Sequence, residues 1–183
     1  PRFQFLAVNF RALADHVAPG SSQGVLLDLG VSSPQLDDPE RGFSFMEDGP
    51  LDMRMNNSEG ITAADWVNGT PEKDMADAIF QYGDERFSRR IAKSIVKERK
   101  KRKITRTLQL AEIVAGVVPR SPKGKHPATR TFQAIRIVVN NEFDDLIKAL
   151  EGSLNVLAEN GRLVVLSFHS GEDRIVKHFI RNS

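Results

Sequence analysis

The sequence predicts an α/β protein in which a helical segment interrupts a parallel sheet. Two short apolar runs, Val25 to Leu29 and Arg162 to Phe168, are typical of buried parallel strands. Between them the apolar residues mostly recur with helical spacing. Without residues 38–126, strand and helix patterns alternate as they do in a doubly wound sheet. We therefore expect residues 1–37 and 127–183 to form one α/β domain and residues 38–126 to form an inserted all-helical domain.

The first elements of the chain predict the direction of the sheet. Phe3 to Val8 has the composition of a strand, and Arg11 to Val17 follows with helical spacing. A Pro-Gly-Ser-Ser turn then leads into the strand at Val25. Strand, helix and strand in this order indicate a βαβ unit, whose two strands run parallel.

The middle of the chain predicts one ordered loop and then a series of helices. Residues 37–57 are rich in Pro, Gly, Asp and Asn and lack periodicity, which is typical of an extended loop. Thr62 and Asp65 have the spacing of a capping box, and Thr70-Pro71 is typical of an N-cap followed by the first helical residue. Two further helices are predicted from apolar residues at helical spacing: Phe87, Ile91 and Ile95, then Leu110, Val114, Val117 and Val118.

The last third predicts a long helix, a strand and a final helix. One apolar stripe runs from Phe132 to Leu157 with helical spacing, although the β-branched residues at 135–139 also allow a strand there. Gly161 precedes the second apolar strand. Ser170 can cap the final helix, which carries two acidic residues in its first turn.

Composition narrows the class of protein. The chain has 183 residues, of which 27% are charged and 40% hydrophobic, as in soluble globular proteins. No apolar run approaches the ~20 residues of a membrane span, and no signal peptide is recognisable. The absence of cysteine removes disulfides, thiolate ligands and thiol nucleophiles, and the four histidines lack ligand spacing. We therefore expect a cytoplasmic protein with no metal site and no membrane partner.

Charge is distributed unevenly along the chain. The net charge is +2, yet residues 89–130 hold fourteen Lys and Arg against two acidic residues, a local net charge of +12. The densest run contains Lys100, Lys101 and Arg102. Such a run is typical of proteins that bind polyanions, and we interpret it as a nucleic-acid surface. The alternative is the solvated face of a helix.

Polar side chains follow both predicted strands at their carboxyl ends, where open α/β sheets bind ligands. Asp28, Ser32, Ser33 and Gln35 come after the first strand, and His169 follows the second. If the strands are parallel neighbours, these ends lie at one edge of the sheet. Asp28 can then bind a hydroxyl or amino group of a cofactor, and His169 can orient a substrate or accept a proton. The alternatives are helix capping for Asp28 and His169 and a plain turn for the two serines.

A second polar cluster, His126 to Thr131, follows the basic segment. Arg130 is expected at the start of a helix, where its guanidinium can meet a phosphate. The alternative is an ion pair with the acidic loop Asp37-Asp38-Glu40. We include His126 and Arg130 in the predicted nucleic-acid surface.

Four stretches of the chain together resemble one family of enzymes. They are DLGVSSPQLDDPERGFSFMEDGPLDMRM, YGDERFSRRIAKSIV, HPATRTFQAIRIVVN and SFHSGEDRIVKHF, and they span most of the chain. In this order they are similar to the bacterial 16S rRNA (cytosine-N4)-methyltransferases, the RsmH (MraW) family. The resemblance implies a Rossmann-like domain that uses S-adenosylmethionine, interrupted by an inserted helical domain. It also implies methylation of N4 of a cytidine in the decoding region of 16S rRNA, within the small ribosomal subunit.

The resemblance implies roles for individual residues. Asp28 and Gln35 match cofactor-binding residues of the family, and Phe10 matches a Phe that flanks the adenine. Ser32 and Ser33 stand where other amino-methyltransferases carry an Asn- or Asp-Pro-Pro-Tyr motif that holds the target amino group. The predicted catalytic residues are Ser32, Ser33 and His169.

The chain also departs from the family pattern. The family's Gly-rich cofactor loop, the acidic residue after its second strand and its C-terminal strands have no counterpart in this sequence. We therefore expect a fragment that binds S-adenosylmethionine poorly by itself. The alternative function is a non-catalytic rRNA-binding module, whereas a small-molecule methyltransferase would have no use for the basic segment. The sequence leaves formation of a homodimer open.

Overall fold

The computed structural model describes residues 3–119, 124 and 126–182. The described residues form two compact units: a sheet unit within residues 1–30 and 141–183, and a helical unit within residues 31–140. The strands are β1 (Ser22–Asp28) and β2 (Leu157–Leu166). The helices are α1 (Leu13–His16), α2 (Ser33–Asp37), α3 (Ala63–Gly69), α4 (Glu72–Gly83), α5 (Ser88–Arg99), α6 (Thr107–Ala115), α7 (Thr129–Val139), α8 (Glu142–Val156) and α9 (Ser170–Asn182).

The sheet unit contains a two-stranded parallel sheet, which confirms the predicted α/β class and strand direction. β1 pairs with β2 in register from Gly24 opposite Arg162 to Asp28 opposite Leu166. Before that run the register shifts, because two steps along β1, from Ser22 to Gly24, correspond to five along β2, from Leu157 to Arg162. Asn160, within this stretch of β2, has a positive φ of 63°. Regular pairing thus begins just after Gly161, as the sequence predicts, although β2 itself starts at Leu157.

Described residues cover only one face of this sheet. Leu27 and Leu29 are buried against the α8 side chains Leu146, Ala149 and Leu150, and apolar residues of α9 complete the cluster. On the other face, Leu26 is 65% exposed, and Val164 and Leu166 keep 50% and 46% of their surface. Because side chains alternate between the two faces of a strand, covering one face leaves every second residue in solvent. The prediction of fully buried strands is therefore wrong for that second face.

The predicted strand at Phe3 to Val8 is also wrong. This segment has no regular structure, and Phe3 and Phe5 are 77% and 76% exposed. A strand needs a hydrogen-bonded neighbour, and among the described residues the ladder of β1 is shared with β2 alone. The helix predicted after it does form, as a 3-10 turn at Phe10–Ala12 that continues into α1.

After α2, the helical unit continues with an ordered loop, as predicted for residues 37–57. Leu51 and Met53 are almost completely buried. The Arg41 guanidinium donates to the carbonyl oxygens of Arg54 and Met55, each at 2.9 Å. Gly49 is required because a Cβ there would overlap the carbonyl of Pro39. The loop has little regular structure, yet buried side chains and side-chain hydrogen bonds define its path.

The helices of this unit follow the predicted patterns closely. Thr62 and Asp65 form the capping box of α3, in which the amide of Asp65 donates to Thr62 Oγ1 at 3.0 Å and the amide of Thr62 donates to Asp65 Oδ2 at 3.0 Å. Ile91 and Ile95 on α5 are completely buried. The predicted start of α4 is wrong by one residue, since Thr70 ends α3 and Pro71 caps α4.

The long predicted helix after Thr131 is two helices. α7 ends at Val139 and α8 begins at Glu142, with Asn141 between them at a φ of 51°. Asparagine tolerates this left-handed conformation better than most residues, so the chain can turn here. Asn140 contributes as well, because its side-chain amide donates to Met53 O at 2.8 Å and accepts from the amide of Met55 at 2.7 Å. The β-branched residues at 135–139 are helical.

The compact units divide the chain at residues 30/31 and 140/141, not at the predicted positions 37/38 and 126/127. Residues 127–140 belong with the helices because α7 packs closely on α4, where a Cβ at Gly83 would meet the carbonyl of Arg130. Whether residues 38–126 form an inserted domain stays a prediction. In the described part of the chain, no helix is both long and apolar enough to cross a bilayer.

Candidate cofactor edge and nucleic-acid surface

The carboxyl ends of both strands lie at one edge of the sheet, as predicted. Asp28 is opposite Leu166 in the ladder, and the amide of Leu29 continues the pairing by donating to Leu166 O at 3.1 Å. Beyond the ladder, a Cβ built on Gly30 would lie 3.8 Å from the Phe168 ring. The segments that follow β1 and β2 are therefore neighbours. We call this the cofactor edge: Asp28 to Gly30 with Ser167 to Ser170.

The carboxylate of Asp28 is an available hydrogen-bond acceptor at this edge. Its side chain is exposed, and it forms no hydrogen bond or ion pair with any described residue. The capping alternative for Asp28 therefore has no support among the described contacts. Phe10, in the same unit, is 41% exposed. A free carboxylate and an open aromatic ring are groups that can hold the ribose hydroxyls and the adenine of a nucleoside.

His169 has the capping role that the sequence left as its alternative. Its ring Nδ1 accepts from the amides of Gly171 and Glu172, at 3.2 and 3.4 Å, at the start of α9. Ring Nε2 lies 3.2 Å from Glu172 Oε1. Since Nδ1 accepts, the neutral ring carries its proton on Nε2. α9 begins at Ser170, so the residue that caps it is His169. The prediction that Ser170 caps this helix is wrong by one position.

Glu172, on α9, supports the backbone of the cofactor edge, a role that sequence reasoning missed. Its side chain is 3% exposed, and Oε2 accepts from the amides of Phe168 and His169, at 2.8 and 3.4 Å. The carboxylate thus fixes the backbone immediately after β2. A capping-box spacing from His169 to Glu172 was the available signal, but the box is usually recognised from Ser or Thr at its first position.

Ser32, Ser33 and Gln35 lie in the helical unit, at the start of α2. Gln35 Oε1 accepts from the amide of Ser32 at 2.9 Å and from its hydroxyl at 3.2 Å. The Ser32 hydroxyl is therefore engaged locally, whereas Ser33 has no described side-chain partner. Gln35 keeps its amide NH₂ free of described partners, so it can still donate to a ligand.

The predicted basic residues Lys100, Lys101 and Arg102 lie just after α5 and are exposed. Lys101 pairs with Glu98 at 2.8 Å. That hydrogen bond, more than the nearby charge of Lys97, holds the pKa of the Glu98 carboxyl below its usual value. Exposed cations here outnumber carboxylates, as expected for a surface that attracts polyanions.

Not every arginine of this segment is available for a ligand. Arg99 donates through Nη1 to the carbonyl oxygens of Val67 and Thr70, both at 2.7 Å, and so ties α5 to the end of α3. Arg106 pairs with Asp48 at 2.9 Å, and this contact lowers the pKa of the Asp48 carboxyl. The sequence shows the charge of these two residues but not their structural use.

Arg130 and His126 lie near the start of α7, as predicted. Arg130 is exposed and donates to the carbonyl oxygen of Asp84 at 3.0 Å, whereas no described contact joins it to the acidic loop Asp37-Asp38-Glu40. His126 packs its ring on Phe45, with 4.7 Å between the ring centroids. Both side chains keep exposed surface. Within the basic segment 89–130, residues 120–123 and 125 lie outside the described residues.

The described residues contain no group of three or more His, Asp or Glu side chains arranged to hold a metal ion. The predicted site residues divide between the units: Phe10, Asp28 and His169 belong to the sheet unit, and the serines, Gln35 and the basic residues to the helical unit. A family model described as the MraW methylase family matches residues 1–183. The match includes both units and confirms the family resemblance drawn from the four sequence stretches.

Proposed function

Because the chain belongs to the MraW methylase family, a family of methyltransferases, we propose that it methylates N4 of a cytidine in the decoding region of 16S rRNA. The methyl donor in this proposal is S-adenosylmethionine, and the substrate is the small ribosomal subunit. The observation that carries it is the cofactor edge. There, an exposed carboxylate with no described partner ends a strand of a parallel sheet, where α/β proteins bind their ligands.

The residues of the chain fit the nucleoside part of the donor. In the sheet unit, Asp28 would accept hydrogen bonds from its hydroxyls and Phe10 would pack on the adenine. The family resemblance implies that Gln35 binds the cofactor as well. When bound, S-adenosylmethionine supplies a methyl group on a positively charged sulfur. A free carboxylate in the site also favours a cationic ligand electrostatically.

The residues assigned to catalysis would position the target amine and exclude water. Methyl transfer would form the N–C bond as the S–C bond breaks, leaving a neutral thioether, and the nitrogen would then release a proton to solvent. Alignment therefore contributes more than a strong base. Ser33 has a free hydroxyl that can accept from the amine. His169 would act through its backbone position, because its ring caps α9. The basic residues at 100–102, with His126 and Arg130, would bind the RNA backbone.

A second candidate function is rRNA binding without methyl transfer. The observation that favours it is the local use of polar groups: the Ser32 hydroxyl is bonded to Gln35, and both ring nitrogens of His169 face helix residues. The two functions differ in whether the chain binds S-adenosylmethionine.

The decisive experiment measures cofactor binding by calorimetry and methyl transfer to purified small subunits. We expect Asp28→Ala to abolish binding of S-adenosylmethionine while leaving RNA affinity almost unchanged. Asp15→Asn, at an exposed carboxylate on α1, is the control and should behave as wild type. Transfer of labelled methyl followed by nucleoside mass spectrometry should yield N4-methylcytidine. If wild type neither binds S-adenosylmethionine nor transfers a methyl group to small subunits, the enzyme proposal is refuted.

A further inference from the structure

A pocket of the helical unit combines arginines with an exposed aromatic ring. It lies where α4 ends and α5 begins, has a volume of about 310 Å³, and is lined by Asp77, Phe80, Arg86, Phe87, Ser88, Arg89 and Arg90. Phe80 is 61% exposed although it sits on a well-packed helix. None of these residues is assigned above to the cofactor or to RNA, although Arg89 and Arg90 begin the basic segment 89–130. The pocket therefore needs its own explanation.

The arginines of the pocket are held in place but not neutralised. The Arg86 and Arg90 guanidinium groups lie 4.8 and 5.5 Å from the centroid of the Phe87 ring, within range of cation–π attraction. Neither they nor Arg89 forms an ion pair with a described residue. Three cations against the carboxylate of Asp77 give the lining a net positive charge.

The position of these arginines on α5 is electrostatically unfavourable without an anion. Arg89 and Arg90 occupy the first turn, where the positive end of the helix dipole disfavours cations. The nearby carboxylate of Glu85 is 4% exposed, and its Oε1 already accepts from the amide of Phe87 at 2.8 Å. The successive phosphates of a bound strand would offset both the dipole and the guanidinium charges.

The positive charge of the pocket would attract any polyanion, but the exposed ring of Phe80 favours a polyanion that carries flat bases. An exposed phenylalanine beside arginines is the combination that single-stranded nucleic acid uses, since each base offers a flat face for stacking. An acidic peptide would pair with the arginines and leave Phe80 in water. We propose that this pocket binds a nucleotide of single-stranded RNA, with the base on Phe80 and the adjoining phosphates on Arg86, Arg89 and Arg90.

The proposal rests on the proposed RNA substrate and extends its binding surface. α5 has twelve residues and therefore spans about 18 Å, with the pocket at its first turn and Lys100 to Arg102 just beyond its last. A strand that follows this helix would meet cations at both ends. The pocket would then determine which single-stranded segment is held, because it provides a stacking position.

The test measures fluorescence anisotropy with two labelled oligoribonucleotides of about 12 nucleotides, a site size typical of such proteins, one with bases and one abasic. Phe80→Leu should weaken binding of the first about tenfold and leave the abasic strand unaffected, and Phe80→Trp should preserve binding. Arg89→Gln/Arg90→Gln should weaken both strands and lower the salt slope by about 1.4. The charge-matched control is Lys73→Gln/Lys148→Gln, at exposed residues outside the pocket, and its slope should stay near wild type.

The outcomes separate failure of the pocket from failure of the proposed function. If wild type binds RNA but Phe80→Leu binds both strands like wild type, the pocket assignment is overturned and the RNA partner stands. Competition by polyglutamate as effective as that by RNA would also overturn it, in favour of an acidic protein partner. If wild type binds neither strand, the RNA substrate and the pocket fall together. Because the experiment measures RNA binding alone, its result does not depend on whether the chain transfers a methyl group.

Discussion

In the helical unit the side chains of Met53, Ile79 and Ile95 are completely buried, whereas in the sheet unit Leu26 and Phe168 keep 65% and 73% of their surface exposed. The difference follows from the elements. A helix on a bundle needs cover along one stripe, whereas a strand has two faces and both need cover. The residues that we propose to be functional divide in the same way: the exposed carboxylate of Asp28 lies in the sheet unit, and the pocket arginines lie in the helical unit.

The largest expected effect tests whether the helical unit depends on its closed core. Ile95→Ala should lower the free energy of unfolding by about 2–5 kcal/mol, because it removes buried methyl groups and leaves a cavity. The single tryptophan, Trp66, is 8% exposed in the same core, so its fluorescence reports this unit directly. Ile61→Ala, at a residue that is 55% exposed, should cost less than about 1 kcal/mol. Equal costs for both would contradict the closed core.

The next effect separates RNA binding from cofactor binding. Reversal of Lys100, Lys101 and Arg102 to Glu should weaken binding to small subunits about 100-fold and lower the salt slope by about 2. Calorimetric affinity for S-adenosylmethionine should not change, because none of the proposed cofactor residues, Phe10, Asp28 and Gln35, is among the three reversed residues.

The control for this variant reverses three exposed lysines elsewhere: Lys73, Lys148 and Lys177. It carries the same net charge, so a similar loss of subunit binding would indicate a general charge effect. Wild-type methylation of small subunits by the Lys100–Arg102 variant would count against this surface.

A smaller effect is expected at the cofactor edge, where Glu172 holds the backbone that follows β2. Glu172→Gln removes the charge that holds the amides of Phe168 and His169, and should cost about 1–2 kcal/mol of local stability. Hydrogen exchange at these two amides should accelerate about 5- to 30-fold, since about 1.4 kcal/mol corresponds to a factor of ten. Asp173→Asn breaks an exposed pair with Lys177 and should leave them unchanged. If the two variants exchange alike, Glu172 does not organise the edge.

How much the sequence predicts depends on whether a feature is local. Helix spacing and the Thr62–Asp65 capping box depend on residues within one or two turns, and they are confirmed. The parallel pairing and the shared edge at Asp28 also follow from the strand patterns. The prediction of a strand at Phe3 to Val8 is wrong because a strand depends on a hydrogen-bonded partner, which no local pattern specifies.

The site shows the same division. The exposed carboxylate of Asp28 and the basic run at Lys100 can be recognised from residue type and position. The structural use of Arg99 and Glu172 cannot, since it depends on backbone groups brought close by folding. The break at Asn141 was visible only as an Asn-Asn pair, and the apolar stripe on either side concealed it.

The smallest effect concerns acid stability of the loop between α2 and α3. Arg54 donates to Asp52 through Nε and Nη2, at 2.7 and 2.8 Å, and this pairing holds the pKa of the Asp52 carboxyl below its usual value. The folded state therefore binds this proton less readily than the unfolded chain, in which an Asp has a pKa of about 3.9. The stabilisation is complete well above that pH and is lost as the pH falls through the lower, folded-state pKa.

Wild type should therefore lose on the order of 1 kcal/mol more than Asp52→Asn between neutral pH and about pH 3. Arg54→Gln should flatten the same part of the curve, because without its donor the carboxyl returns toward its ordinary pKa. The measurement is denaturant unfolding followed by Trp66 fluorescence at several pH values, which reads the unit that contains the loop. An unchanged acid limb in Asp52→Asn would show that the loop is held by its buried Leu51 and Met53 and not by this pair. The closed unit would then depend on apolar burial even where its structure is least regular.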